Sequence, residues 1–188
     1  MAQDSLNSGQ SMDLMELHQL VSSEIPGITF HAAGCIMEAA RVCLEEQSHR
    51  TGVRFLVNGD FSIAFSLIWD ATTDQMRRCW ADPEEATAQG ACGLAVLLIE
   101  RLTGWTVLER WRRGTGFDYW LGCRGSEDPL FQNKVRLEIS GIRQGNNAAV
   151  NRRVREKIEQ TRRSDSTGLS AFVVVVEFGL PCSFMMRR

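Results

Sequence analysis

The chain has 188 residues, of which 44% are hydrophobic, so it is large enough to bury a core of its own in one compact domain. Its net charge of −2 excludes a strongly basic protein, and overall charge therefore does not indicate nucleic-acid binding. Six cysteines without a CxxC pair exclude the usual zinc-finger and disulfide patterns, and they predict reduced thiols in the cytoplasm. The longest apolar runs are too short to span a membrane.

The first part of the chain predicts helices followed by a hairpin. Residues 1–11 are polar and aperiodic, which predicts a disordered tail. Residues 12–82 are assigned to an N-terminal α/β extension, because helical spacing of apolar residues gives way to alternation around the Asn58-Gly59-Asp60 turn. The predicted elements are helices over Leu14–Val21, Ala32–Gln47 and Thr72–Cys79, and strands over Val53–Val57 and Phe61–Trp69.

The second part, residues 83–188, has clearer signals for where its helices and strands begin and end. Asp82 is a predicted N-cap, Pro83 suits the first helical position, and Gly104 ends a helix that reaches about Leu102. The order α, β, β, β, α, β follows, in an α/β domain with a mixed sheet. The remaining elements are strands over Trp105–Trp111, Phe117–Leu121, Val135–Ile139 and Leu169–Phe178, and a basic helix over Asn147–Arg163.

Two acidic residues stand inside predicted strands of this second part, Asp118 and Glu138. If their strands are antiparallel neighbours, both carboxylates project from one end of the sheet. Two carboxylates suit Mg²⁺ or Mn²⁺, which takes its other ligands from water and substrate phosphate. The alternative is structural: Asp118 caps a turn, and Glu138 pairs with Arg136 or Arg143 on an exposed face.

This pattern resembles the PD-(D/E)XK, or restriction-endonuclease-like, nuclease superfamily. The segment Arg112-Arg113-Gly114-Thr115-Gly116-Phe117-Asp118 is similar to the region around the family's first metal-binding Asp, and Leu137-Glu138-Ile139-Ser140 to its third-strand motif. The resemblance covers roughly residues 83–179. It implies an αβββαβ core preceded here by the N-terminal helix and hairpin extension, Asp118 and Glu138 as metal ligands, and hydrolysis of nucleic-acid phosphodiesters in phage defence or DNA processing.

The family lysine is replaced here by Ser140, whose hydroxyl cannot supply a positive charge. Lys157, on the basic helix, is one substitute, and Lys134, roughly 13 Å along the strand from Glu138, is another. Ser140 stays among the candidate catalytic residues together with Asp118, Glu138 and Lys157. The acid that the family carries on its first helix has three candidate counterparts, which are Glu84, Glu85 and Glu100, while Gln89 sits nearer the helix centre.

The sequence is compatible with several binding partners. Arg152, Arg153 and Lys157 could follow a phosphate backbone, or they could form an ordinary solvated helix face. The N-terminal region could bind a protein partner or a second copy of the chain. Because Ser140 breaks the motif, an inactive nuclease-like binding module is the alternative function. Glu177 is expected either to join a carboxylate cluster or to form a salt bridge at the end of the last strand.

Overall fold

The computed structural model describes residues 12–111, 116–125 and 134–188, and the predicted 1–11 tail lies outside them. It is a mixed α/β fold, as the sequence predicts. The strands are β1 Asp13–Glu16, β2 Val53–Gly59, β3 Ile63–Ile68, β4 Trp105–Arg110, β5 Tyr119–Cys123, β6 Val135–Ile142, β7 Ala171–Glu177 and β8 Cys182–Arg187. The helices are α1 Gln19–Ser22, α2 Phe30–Glu46, α3 Asp74–Cys79, α4 Pro83–Thr103 and α5 Asn147–Thr161, and a 3₁₀ helix follows at Arg162–Thr167.

All eight described strands form one sheet in the order β1-β3-β2-β8-β7-β6-β5-β4. Strands β4, β5 and β6 form an antiparallel meander, and α5 carries the chain back so that β7 lies parallel to β6. The predicted order of elements from α4 to β7 is therefore observed. The hairpin of the N-terminal extension joins the same sheet, because β2 pairs with β8.

The start of the chain differs from the prediction. Leu14 belongs to β1, which runs parallel to β3, and the helix begins only at Gln19. Pairing with the sheet edge satisfies the backbone there, and it overrides the helical spacing of the leucines. Strand β8 was not predicted, so β7 is an inner strand of the sheet and not its last one.

Helices cover both faces of the sheet around β6 and β7, with two helices on one face and one on the other. Helix α4 and its neighbour α2 enclose the main core together with the inward side chains of the sheet, Leu137 and Ile139 among them. Helix α5 packs its valines, Val150 and Val154, onto the opposite face of β7. Strand β6 is therefore covered on both faces, and its residues from Val135 to Ser140 are buried.

Candidate active site

The site begins where β5 and β6 part. These strands pair only as far as Tyr119 opposite Leu137, and β6 continues beyond that point with β7 on its other side. Asp118 lies just before β5, where its backbone N–H donates to the carbonyl of Leu137 at 2.8 Å. Its carboxylate Oδ2 accepts the next free N–H of β6, that of Ile139, at 2.8 Å. Asp118 thus closes the gap between the two strands.

A cleft of about 1010 Å³ opens at this gap, between the first turns of α4 and the middle of α5. The predicted acids Asp118 and Glu138 both line it, and so do Lys157 and Ser140. The structure therefore brings together the four candidate catalytic residues. Lys134 is not part of the lining.

Glycines let the chain segments approach closely enough to form the cleft. At Gly141 a side-chain Cβ would lie 2.5 Å from the backbone oxygen of Thr87, so β6 and the start of α4 are in direct backbone contact. At Gly116, whose φ of +94° also favours glycine, a Cβ would lie 2.6 Å from the oxygen of Gln160 on α5. The two contacts place α4 and α5 on either side of the acids.

Three contacts made by side chains of β6 join this strand to helix α5, and we call them the polar ladder: Arg136 with the backbone oxygen of Thr161, Glu138 with Lys157, and Ser140 with Arg153. Positions two apart on a strand are separated by about 6.7 Å, and positions four apart on a helix by about 6 Å. The two spacings match, so every second residue of β6 meets a successive turn of α5.

Glu138 occupies the middle rung, and its side chain is only 1% exposed. Oε1 accepts a hydrogen bond from Lys157 Nζ at 2.6 Å, and the same ammonium donates to Gln160 Oε1 at 3.0 Å. Oε2 is buried and has no hydrogen-bond partner among the described residues. The proposed alternative, in which Glu138 pairs with Arg136 or Arg143 on an exposed face, does not occur. Those arginines pair with Asp165 and Glu46.

Glu138 is buried and Asp118 is half-buried, and neither carboxylate is fully compensated. Burial, and to a smaller extent the nearby negative charge of Asp118, raise the pKa of Glu138 to about 7 against the opposing effect of Lys157. Burial also raises the pKa of the Asp118 carboxyl, against the Ile139 N–H and the charges of Lys157 and Arg110. A cation placed between the two carboxylates would relieve both effects.

The predicted nucleic-acid residues separate into two groups. Arg153 and Lys157 line the cleft, and Arg153 Nη1 donates to Ser140 Oγ at 2.8 Å. The guanidinium thus lies beside the Ser140 hydroxyl, and it also pairs with Glu156 at 3.3 Å. Arg152 is on the solvent side of α5, where it pairs with Glu156, and it does not line the cleft.

Comparison of the chain with protein-family models, curated proteins and solved structures gave no match. The site is therefore interpreted from its own geometry.

The candidates for a third acid are only partly in place. Glu84 and Glu85 line the cleft, as does the amide of Gln89, whereas Glu100 lies elsewhere and contacts Thr106 and Arg124. Within the described residues, no three acidic, histidine or cysteine side chains are close enough together to hold a metal ion. The protein ligands available to a metal here are thus the pair Asp118 and Glu138.

Sequence reasoning missed two residues that line the cleft. Arg110, at the end of β4, lies close enough to Asp118 to affect its pKa. Cys92 lies on α4, and burial raises the pKa of its thiol to about 12, so it is a neutral neighbour of the acids. Arg110 falls inside the predicted strand Trp105–Trp111, and the sequence analysis gave it no role of its own. Cys92 carried no separate signal.

Proposed function

We propose that this chain is a Mg²⁺-dependent nuclease, or a nuclease subunit, that hydrolyses nucleic-acid phosphodiesters in the cleft. The observation that supports this most is Glu138 Oε2, a buried carboxylate oxygen without a partner among the described residues, in the same cleft as Asp118. Leaving such an oxygen unpaired is costly, so its retention points to a cation that binds there.

The donor set fits Mg²⁺ or Mn²⁺. These ions prefer oxygen ligands, and Mg²⁺ commonly binds proteins through one or two carboxylates while water and substrate phosphate supply the rest. Asp118 and Glu138 would hold the ion. When bound, it would make a water molecule more acidic and stabilise charge on the phosphate oxygens.

The neighbouring cations have separate tasks in this proposal. Lys157 keeps its ammonium at Glu138 Oε1, where it compensates the carboxylate and holds a proton beside the reacting water. Arg153, held by Ser140, presents a positive charge to a phosphate oxygen. Ser140 acts as a positioning residue and not as the nucleophile, since the group that faces its hydroxyl is a guanidinium, which cannot serve as a base.

A second function has an observation of its own in its favour. Lys157 already neutralises part of Glu138, and Asp118 is already bonded to Ile139, so the two acids are partly satisfied without metal. A cleft that also carries Arg110, Arg143 and Arg153 could bind nucleic acid, or an acidic partner, without cleaving it. That protein would be an inactive nuclease-like binding module.

The test is cleavage of labelled single-stranded, duplex and branched DNA and RNA, with Mg²⁺, Mn²⁺ or chelator. We expect metal-dependent cleavage that falls about 100-fold or more in Asp118→Asn, because electrostatic stabilisation at such a site is worth that much. The matched control is Asp74→Asn, an acid on α3 whose side chain is 84% exposed and outside the cleft. It should cleave as the parent does.

The same variants separate the two functions. Calorimetric binding of Mn²⁺ that disappears in Asp118→Asn supports the metal site whether or not cleavage is seen. Nucleic-acid binding without either metal binding or cleavage supports the inactive module. Cleavage that survives unchanged in Asp118→Asn would refute this site.

A further inference from the structure

A second cavity opens beside the cleft, and we call it the side pocket. Its volume is about 400 Å³, within the range of roughly 300–1,000 Å³ that is usual for small-ligand sites. Glu85, Gln89 and Arg110 line both the side pocket and the cleft. The two cavities therefore adjoin across the same three side chains.

The walls of the side pocket are apolar and aromatic. Ile28 and Ala32 line it from the region where α2 begins, Trp80 from the end of α3, and Tyr119 from β5. Tyr119 is buried, and Trp80 and Ile28 are half-buried. Aromatic and aliphatic walls of this kind suit a flat, weakly polar group, because base rings stack favourably on aromatic side chains.

The boundary between the two cavities is polar. Arg110 is exposed there and forms no ion pair with the residues in the described part of the chain. Gln89 donates to Glu85 Oε1 at 2.9 Å, so a hydrogen-bonded amide and carboxylate pair also lies at this boundary. An anionic group is favoured next to Arg110, and hydrogen-bonding edges are favoured next to Gln89 and Glu85.

A nucleotide has these features in the same order. Its phosphate would lie at the cleft and Arg110, and its base would enter the side pocket, where the edge of the ring meets Gln89 and Glu85. A base in a duplex is stacked and paired, so it enters a pocket only after it is unstacked, whereas an unpaired base is free to enter.

We infer that the side pocket binds an unpaired nucleobase adjacent to the phosphodiester in the cleft, and that the substrate is single-stranded or carries an unpaired nucleotide. This inference rests on the proposed nuclease function for the position of the phosphate. It goes further because it assigns Trp80, Ala32 and Arg110 to substrate selection.

The experiment blocks the pocket from an exposed helix position. Ala32 is exposed and lines the side pocket, so Ala32→Trp should fill it without disturbing the core. His31→Trp adds a tryptophan at the preceding exposed residue, which does not line the pocket, and serves as the matched control. Each is assayed with Mn²⁺ on a single-stranded oligonucleotide, on the same strand with one abasic site, and on its duplex.

We expect the parent and His31→Trp to cleave the single strand about tenfold faster than the duplex, and Ala32→Trp to lose about tenfold in kcat/KM on the single strand, as expected for one lost base-stacking contact. The abasic site should slow cleavage at its neighbouring phosphate in the parent and have no effect in Ala32→Trp. Equal rates for Ala32→Trp and His31→Trp, or preference for the duplex, would overturn the inference.

If the parent protein cleaves nothing, its binding of single-stranded nucleic acid tests the side pocket instead. Fluorescence anisotropy of the labelled single strand is then measured for the same variants, with tryptophan quenching compared between the parent and Trp80→Phe. Tight binding that weakens about tenfold in Ala32→Trp, with quenching lost in Trp80→Phe, supports the base pocket while the nuclease proposal fails. If Ala32→Trp leaves the affinity unchanged, or if the parent does not bind at all, the assignment of the side pocket to a nucleobase is wrong.

Discussion

Two glutamates on the neighbouring parallel strands β6 and β7 are both fully buried, yet their surroundings differ. Glu177, at the end of β7, accepts backbone N–H groups from Gly145, Gly179 and Leu180, so both of its oxygens have partners. Glu138, within β6, has Lys157 on one oxygen and no described partner on the other. Burial alone therefore does not distinguish the two carboxylates, whereas the completeness of their hydrogen bonding does.

The role of Glu177 also corrects what the sequence suggested. It neither joins a carboxylate cluster nor forms a salt bridge with any described residue. Its carboxylate ties the β7–β8 turn to the loop before α5, through the N–H groups of Gly179 and Gly145. The sequence did not predict this set of backbone donors, because all three lie in a loop or a turn whose geometry depends on the fold.

The largest expected effect is on the stability contributed by Glu177. In Glu177→Gln, the amide group places a donor against backbone donors and removes the negative charge that they stabilise. We expect the free energy of unfolding to fall by about 3 kcal/mol, measured by urea denaturation. Glu138→Gln is the control, and its unfolding free energy at pH 8 should not decrease. Equal losses in the two variants would contradict the distinction between the two glutamates.

The next effect concerns metal binding. Asp118→Asn and Glu138→Gln each remove one of two proposed ligands, and we expect either to weaken Mn²⁺ binding about 100-fold, which corresponds to about 2.7 kcal/mol. Isothermal titration calorimetry measures this directly. Glu177→Gln, assayed under conditions where it is folded, should bind Mn²⁺ as the parent does. Metal affinity that depends on Glu177 and not on Glu138 would reverse the assignment.

Removal of the Glu138 partner should have a smaller and pH-dependent cost. Lys157→Met leaves a buried carboxylate without its cation, and we expect a loss of about 2 kcal/mol at pH 8, less than for a fully buried pair because the Lys157 side chain is 20% exposed. At pH 5.5 the loss should be much smaller, because Glu138 has a pKa of about 7 and is then protonated. Urea denaturation at both pH values checks this, and equal losses would count against the ion pair.

The smallest expected effect is the pH dependence of stability itself. The pKa of Glu138 is raised from about 4.5 to about 7 in the folded protein, so the native state holds more protons than the unfolded state between these values. The contribution of Glu138 to the free energy of unfolding is fully present below pH 4.5 and is lost as pH rises through 7. Compared with Glu138→Gln, the parent should lose about 1–2 kcal/mol more between pH 5 and 8. Parallel stability curves for the two proteins would refute the raised pKa.

The sequence predicted those parts of the molecule that depend on local signals. Asp82 does cap α4, with its carboxylate accepting from the N–H groups of Glu84 and Glu85. The interruption of alternating strands by single acids was enough to select Asp118 and Glu138, and the helical position of Lys157 was enough to propose it as their neighbour. All three line one cleft.

What the sequence did not predict depends on contacts between distant segments. The contact of Arg153 with Ser140 requires the crossover of α5 to set the rotation of the helix over β6. Strand β1 requires the edge of β3 as its partner, and β8 requires a position between β2 and β7. The side pocket combines α2, the end of α3 and β5, which no single sequence window contains.

The polar ladder has a consequence for how α5 docks on the sheet. If the helix moved by one turn so that Arg153 faced Glu138, Lys157 would face Arg136, and two positive charges would meet in a buried space. If it moved one turn the other way, Thr161 would face Glu138, and the buried carboxylate would lose its cation. A shift by one turn would replace one branched apolar side chain of α5 with another against the sheet, as among Val150, Val154 and Ile158, whereas the order of charge on the three rungs permits one alignment. The polar ladder thus fixes the position of α5 along β6, and with it the place at which Lys157 enters the cleft.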